Sequence, residues 1–326
     1  MKSIAGFIVE ITGAKSVELN EVIQNLWSGY GVIQRARLIG RTPEKVMIKH
    51  IDLSRDRKNR RGWSGDTSHK RKVDSYQVEA RFYESYSSDC GEDCTVPGLV
   101  AARALENKFG WVIVMDDLDA LGFNERVNTP RDEQIRGCLR WIASFHAAFL
   151  GNPGDGLWPT GTYWHLDTRP DEYAAMPKGM LKKSARSIDR RLNEARFQTL
   201  VHGDAKIANF CFSKEANVAA VDFQYVGRGC GMKDVAYFIS SCLSAQEAGE
   251  QENALLEFYF QELKSALARR EVEVCFDELE AEWRSLYPFA WADFCRFLIG
   301  WSPGHWKLHS YSKRLTQEVL DQIARE

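Results

Sequence analysis

A chain of 326 residues, 44% hydrophobic and 27% charged, with a formal net charge of −2, is too long for one small core. Its charge balance gives no reason to expect nucleic acid or an anionic membrane as a partner. The longest apolar runs, such as WVIVM at 111–115, are far too short to span a bilayer.

The N-terminal stretch MKSIAGFIVEITG is interrupted by Glu10 and reads as a helix or strand of the fold rather than a signal peptide. VIQNLWSG and VIQRARLIG are rich in β-formers and flank Gly29-Tyr30-Gly31, which predicts a hairpin. After Pro43, KVMIKHI predicts a third strand whose only internal charge is Lys49. The basic stretch from Arg55 to Lys72 reads as a solvated loop, with contact to an anionic ligand as the minority alternative. VDSYQVEARFYESY has helical spacing, and VPGLVAARAL and WVIVMDDLD predict two further strands. Eight cysteines (Cys90, Cys94, Cys138, Cys211, Cys230, Cys242, Cys275 and Cys295) follow no repeating spacing, so reduced thiols in a cytoplasmic protein are expected. Cys90 and Cys94 in DCGEDC read as a loop with two thiols rather than a metal or redox pair.

The second part of the chain is expected to be mainly helical, which places the boundary between an N-terminal lobe, 1–117, and a C-terminal lobe, 118–326. TPRDEQIRGCLRWIASFHAAFLG predicts a helix with Thr129 as N-cap, Pro130 in its first position and Gly151 at its end, and His146 as a core histidine. Another helix is expected from about Leu181 to Arg196. Two β-like pieces, FCFS and VAAVDFQ, follow the stretch LVHGDAKIANF at 200–210. That stretch sets His202, Asp204, Lys206 and Asn209 among apolar residues. Burying polar groups costs free energy unless partners or chemistry compensate, so a site is expected there.

Phosphoryl transfer from a nucleotide needs an orienting or accepting carboxylate, oxygen ligands for Mg²⁺, a cation on the phosphates and a glycine-containing cover. Asp204 and Asn209 have the D-x-x-x-x-N spacing of a kinase catalytic loop, so Asp204 is the candidate catalytic residue and Asn209 a metal ligand. Asp222, at the end of an apolar strand, is the second candidate ligand. Lys49 suits the phosphate-binding lysine, and Glu79 on the following helix suits its ion-pair partner. Each signal is weak alone; their common order along the chain is specific.

At these residues the sequence resembles the choline kinase and aminoglycoside phosphotransferase superfamily. LVHGDAKIANFCF and AAVDFQYVGRGCGMKDVAYFI look most like its ecdysteroid kinase-like branch, and the resemblance runs from about Trp27 to Ser241. It implies an α+β, two-lobe protein-kinase-like fold, with an antiparallel sheet plus helix in the first lobe and mainly helices in the second. It also implies transfer of the γ-phosphate of ATP to a small-molecule hydroxyl, with Asp204 as base, Asn209 and Asp222 on Mg²⁺ and Lys49 on the phosphates. Backbone groups near Met115 and Asp117 would meet the adenine, and His202 and Asp234 would brace the catalytic loop. Gly203 stands where a protein kinase has Arg, DFQ replaces D-F-G, and no A-P-E motif follows, which favours a small-molecule kinase over a protein kinase. The glycine cover is sparse, leaving Ser28, Gly29 and Gly31 as candidate phosphate contacts. The rival reading is a catalytically inactive nucleotide-binding or scaffold protein.

The acceptor is expected to meet the C-terminal aromatic segment YPFAWADFCRFLIGWSPGHWKLHSY. Most of its stripe reads as core, but Trp301 and Trp306 flank Ser302-Pro303-Gly304, where a helix must end and side chains can turn toward a cleft. They suit either a quaternary ammonium held by cation–π attraction or an apolar alcohol, with Asp293 expected to be solvated.

Overall fold

A computed structural model describes residues 3–26, 29–52, 66–105 and 110–326. Trp27, Ser28 and the Arg55–Gly65 part of the basic stretch lie outside the described residues. The chain divides into two compact units: Met1–Gly91, Thr95–Glu125 and Cys211–Gln224 form one, and Glu92–Cys94, Arg126–Phe210 and Tyr225–Glu326 form the other.

The first unit is built on an antiparallel sheet of β1 (Ser16–Asn25), β2 (Gly31–Ile39), β3 (Lys45–Asp52), β4 (Leu99–Ala104) and β5 (Gly110–Asp116), in the order β1-β2-β3-β5-β4. The predicted hairpin joins β1 to β2. Gly31 is required there, since its φ is 149° and a Cβ would collide with the carbonyl of His50 on the paired strand. Helix α1 (Ile4–Thr12) is capped by the Ser3 side chain and closed by Gly13 at φ 71°, so the N-terminal stretch is a helix. Its Phe7 and Ile8 pack with Leu38, Val46, Ile48, Val112 and Val114 of the sheet. Each such side chain contributes roughly 1.5–3 kcal/mol on burial. Side chains alternate along a strand, so Val46 and Ile48 on this core face turn Lys49 to the opposite one. There α2 (Asp66–Ser85) packs on β4 and β5. The loop expected up to Lys72 is corrected in its last part: Lys70, Arg71 and Lys72 belong to α2, and the Lys72 ammonium lies 5.4 Å from the Tyr76 ring centroid. One turn of helix brings those two residues together, so the charges still face outward while the backbone is helical.

The chain returns to the first unit through β7 (Phe210–Phe212) and β8 (Val218–Ala220), numbered after β6 (Thr199–Val201), and Phe223 stacks on Phe82 of α2 at 3.9 Å between centroids. That contact fixes the segment carrying Asp222 against the helix carrying Glu79.

The second unit is mainly helical: α3 (Asp132–Ala148), α4 (Pro170–Ala175), α5 (Met180–Asn193), α6 (Met232–Cys242), α7 (Ala245–Arg269), α8 (Phe276–Trp301) and α9 (Ser310–Arg325). A short antiparallel pair joins β6 to β9 (Gly227–Gly229). Helix α3 starts later than expected. Its N-cap is Arg131, not Thr129, because the Arg131 carbonyl accepts the first helical bond from Ile135 and the Gln134 side chain accepts the Arg131 N–H. It ends at Ala148, ahead of Gly151. Trp164, Tyr237, Phe294, Phe297 and Leu298 form an aromatic core cluster. Asp293 is not solvated but fully buried, a correction with a clear cause: Arg296, three residues along α8, donates to it at 2.8 and 3.0 Å, and Trp164 Nε1 donates at 3.0 Å. A buried carboxylate is tolerated when its charge is paired and its oxygens are hydrogen-bonded. None of the eight cysteines forms a disulfide, and Cys90 and Cys94 are buried. Among the described residues no helix is long and apolar enough to cross a membrane.

Candidate active site

In the first unit the structure brings Lys49, Glu79 and Asp222 together. The Lys49 ammonium donates to both Glu79 oxygens, at 2.9 and 2.7 Å, and to Asp222 Oδ1 at 3.3 Å. Lys49 and Glu79 are buried, whereas the Asp222 side chain keeps 34% of its surface exposed. Burial works against the Lys49 charge, but Glu79 and then Asp222 outweigh it and hold the amine above its ordinary value. Burial, against the pull of Lys49, raises the Glu79 carboxyl, and the nearby Asp222 charge adds to the rise. The cluster is therefore a positive group clamped in place beside a carboxylate that still faces outward. Asp222 sits at φ 71°, a left-handed conformation that costs a non-glycine residue about 1–2 kcal/mol and that Asp tolerates better than most.

A further member escaped sequence reasoning. Gln224, the residue that replaces the glycine of D-F-G, donates through Nε2 to Asp222 Oδ1 at 2.7 Å, and its Oε1 lies 3.3 Å from the Ser75 hydroxyl. Ser75, one turn before Glu79 on α2, shares its one proton between the Lys72 carbonyl at 2.8 Å and Gln224, so the helix reaches Asp222 by two routes, Glu79–Lys49 and Ser75–Gln224. The four-residue spacing of Ser75 and Glu79 was visible in the sequence; the pairing of Ser75 with a residue in DFQ was not.

Met115 and Asp117 lie at the end of β5. Met115 is held between Met47 of β3 and Leu99 of β4. The Asp117 carboxylate accepts from Arg35 Nε at 2.7 Å and from the Asp119 N–H at 3.1 Å, and its carbonyl accepts from Ala120 at 2.9 Å. Arg35 thus pins the turn that follows the strand, with Asp119 as its second carboxylate at 2.5 Å. Gly29 and Gly31 serve the β1–β2 turn, where the Gly29 N–H and the Gly31 carbonyl both bond to Leu26. Ser28 lies outside the described residues.

In the second unit the loop 202–209 is built around Asp234 of α6. Asp234 accepts from the His202 N–H at 2.5 Å and the Gly203 N–H at 3.0 Å. Its Oδ2 lies 3.2 Å from His146 Nε2, and His146 Nδ1 lies 2.7 Å from the Tyr259 hydroxyl. His202 Nδ1 accepts the N–H of Asp204 at 3.2 Å. Gly203, at φ 79°, has no room for a side chain: a Cβ would collide with the Tyr225 carbonyl. An Arg at that position is excluded by this packing.

The loop delivers Asp204, which is 6% exposed. Its Oδ2 accepts from Lys206 Nζ at 2.7 Å and from Asn209 Nδ2 at 3.1 Å, and Asn209 Nδ2 also donates to the Asp204 carbonyl at 2.8 Å. Oδ1 is buried and has no hydrogen-bond partner among the described residues. A carboxylate with one oxygen fixed and the other unsatisfied suits a proton acceptor or an oxygen that orients a hydroxyl. Because Asn209 spends its amide nitrogen on Asp204, its amide oxygen is the atom left for a ligand.

Trp301 and Trp306 are 45% and 61% exposed. Trp301 ends α8, stacks on Phe297 at 5.6 Å and neighbours His305, which stacks on Trp306 at 5.9 Å.

The antiparallel sheet with its helix and the mainly helical unit bearing H-x-D-x-x-x-x-N define an α+β protein-kinase-like fold. Amicoumacin kinase hAmiN, solved in complex with AMP-PNP, Ca²⁺ and Ami, shares it with a TM-score of 0.55 at 13% identity, over 92% of this chain and 88% of that one. Choline kinase from Cryptosporidium parvum Iowa II does so with a TM-score of 0.52 at 9% identity, over 95% and 89%. In sequence, residues 164–272 match the model of the ecdysteroid kinase-like family. Over that stretch the chain thus resembles the ecdysteroid kinase-like family. No curated protein sequence matches.

Proposed function

We propose that this chain is an ATP-dependent phosphotransferase acting on a hydroxyl of a small metabolite. The observation that carries the proposal is the Lys49–Glu79–Asp222 cluster, a buried cation locked onto one carboxylate and shared with a second that faces outward. Lys49 neutralises the nucleotide phosphates and Glu79 keeps its amine extended. Asp222 in the first unit and Asn209 in the second each present an oxygen, charged and amide respectively, of the hard kind that Mg²⁺ takes. The cation, when bound, offsets charge on the phosphate oxygens. Asp204 Oδ1 accepts the proton of the acceptor hydroxyl as its oxygen bonds to the γ-phosphorus, and the bond to the bridging oxygen breaks with its electron pair leaving on ADP. Small-molecule alcohols are the acceptors, since the short segment between Asp222 and α6 leaves no activation segment for a protein substrate.

The test is ATP turnover by the full chain with Mg²⁺ and a panel of small alcohols, set against a generic protein substrate. ADP formation that depends on an alcohol supports the reading; none with any alcohol, alongside phosphorylation of the protein, overturns it.

Asp222→Ala is expected to weaken Mg²⁺-dependent nucleotide binding by tenfold or more, because charged hydrogen-bonding groups contribute roughly 1.5–3 kcal/mol. Mg²⁺ titrations of nucleotide binding that superimpose for wild type and variant would remove Asp222 from this role. Gln224→Ala should give a smaller effect of the same kind, about threefold to tenfold, as Asp222 keeps Lys49 but loses its tether to Ser75. Ser75→Ala, in combination with Gln224→Ala, should add little, because both substitutions cut one route. Fully additive losses would show that the two side chains act separately.

A further inference from the structure

Lys307 has no place in the reaction as described, yet it is buried within the same unit as Asp204. It follows the end of α8 and is only 7% exposed. Its ammonium carries three N–H donors. One partner is the Ser240 hydroxyl oxygen at 3.1 Å, which gives its own proton to the Tyr237 carbonyl. The rest of its surroundings are rings: Tyr237 at 4.6 Å, Phe294 at 5.4 Å and Trp306 at 5.5 Å from their centroids. Among the described residues no carboxylate lies within ion-pair distance of it. Lys49 and Arg296, by contrast, are each held by a carboxylate at 2.7–2.8 Å. A buried cation without a paired anion is costly, and the cost is met when a ligand brings the anion.

Of the two rings that the sequence offers to a quaternary ammonium, Trp301 and Trp306, the second already faces the chain's own ammonium at 5.5 Å. A cationic acceptor would meet Lys307 as a like charge. Ser241, next to the Ser240 that holds Lys307, accepts the N–H of Ile207 at 2.9 Å, so this cation and the loop bearing Asp204 are fastened to the same end of α6.

We propose that Lys307 is the anion-recognition group of the acceptor site, and that the alcohol phosphorylated is a hydroxylated carboxylic acid. Its carboxylate pairs with the Lys307 ammonium, and its hydroxyl reaches Asp204 Oδ1. The assignment rests on the kinase reading for the second contact only.

Burial lowers the Lys307 amine to about 8, partly opposed by Asp204 and Cys242 and assisted by Lys206, so the anion site should lose its charge as pH rises past that value. The other titratable groups facing it are Tyr237, His305 and His309. Burial pushes the Cys242 thiol up to about 12 and Tyr237 well above its usual value, and lowers both histidines, so these four do not titrate between about pH 7 and pH 9.

The test is calorimetric binding, without nucleotide, of matched acids and amides to the full chain: mandelate against mandelamide, glycerate against glyceramide, and lactate against lactamide. At least one acid is expected to bind about tenfold or more tightly than its amide. The preference should fade between about pH 7 and pH 9, vanish in Lys307→Met and persist in Lys307→Arg. The pH arm needs only the wild-type protein, so it stands if Lys307→Met fails to fold. Equal binding of acid and amide, binding of neither in every pair, or a preference that survives Lys307→Met overturns the proposal. So does a Lys307→Met variant that loses affinity for ATP alone, which would place the anion on the nucleotide. Phosphoryl transfer to neutral alcohols but to none of the acids overturns the proposal as well, whereas charge-selective binding with no transfer to any alcohol would overturn the kinase reading and leave Lys307 as an anion-binding group.

Discussion

Asp204→Asn should lower the rate of phosphoryl transfer by hundreds-fold or more while leaving nucleotide affinity within about twofold. The substitution is nearly isosteric. Its amide oxygen can keep the contacts that Oδ2 now makes with Lys206 and Asn209, at 2.7 and 3.1 Å. The amide nitrogen then takes the place of Oδ1, the buried atom that has no partner among the described residues. What is lost is a proton acceptor at that one position. Each tenfold in rate is about 1.4 kcal/mol of barrier, so this change asks the carboxylate to supply roughly 3–5 kcal/mol, within the range of a general base. Lys206 loses an anionic partner, but at 37% side-chain exposure it is rehydrated cheaply. Fold stability is therefore expected to change little, and a normal melting curve with a collapsed rate is the signature of the assigned role. Near-normal turnover would remove Asp204 from it.

The parts of this site that could be read from sequence are those whose geometry is local. Asp204 and Asn209 are five residues apart on one loop, and that spacing alone makes their side chains meet. Lys49 stood out because strand alternation turns this lone charge to the face opposite Val46 and Ile48. Helical spacing then offered Glu79 as its partner. Ser75–Gln224, by contrast, joins residues 149 positions apart, and no periodicity encodes that contact. Asp293, expected to be solvated, shows the same limit: Arg296 lies three residues along its own helix, but Trp164, which closes the far side, comes from 129 residues earlier. The Thr129 cap failed for a smaller reason. Thr, Pro and Arg all precede the first acidic turn, and the Gln134 side chain settled the start in favour of Arg131. Lys307 was hidden because a single Lys between aromatics looks like any surface cation until its burial is known.

Asp234→Ala should have the opposite signature to Asp204→Asn: a large loss of stability, with activity falling only because the loop no longer forms. Asp234 is fully buried and holds two backbone donors, His202 N–H and Gly203 N–H, with a different oxygen accepting each. One of those oxygens also meets His146, which in turn contacts Tyr259 of α7. Removing the carboxylate strands two buried N–H groups and a ring nitrogen in a space too tightly packed for easy repair. Unsatisfied buried groups cost about 1–3 kcal/mol each, and breaking a buried charged contact typically costs roughly 3–5 kcal/mol in all. Asp234→Asn should recover part of this, since one oxygen remains, but its NH₂ group would face an N–H donor. The effect should be local before it is global. Hydrogen exchange at the His202 and Gly203 amides should speed up by orders of magnitude under native conditions, because their acceptor is gone, while the α1–sheet core of the first unit keeps its protection. If those two amides exchange at wild-type rates in Asp234→Ala and the melting temperature is unchanged, then the loop is held by something other than Asp234. The bracing role of the His146–Asp234 pair would fall with it.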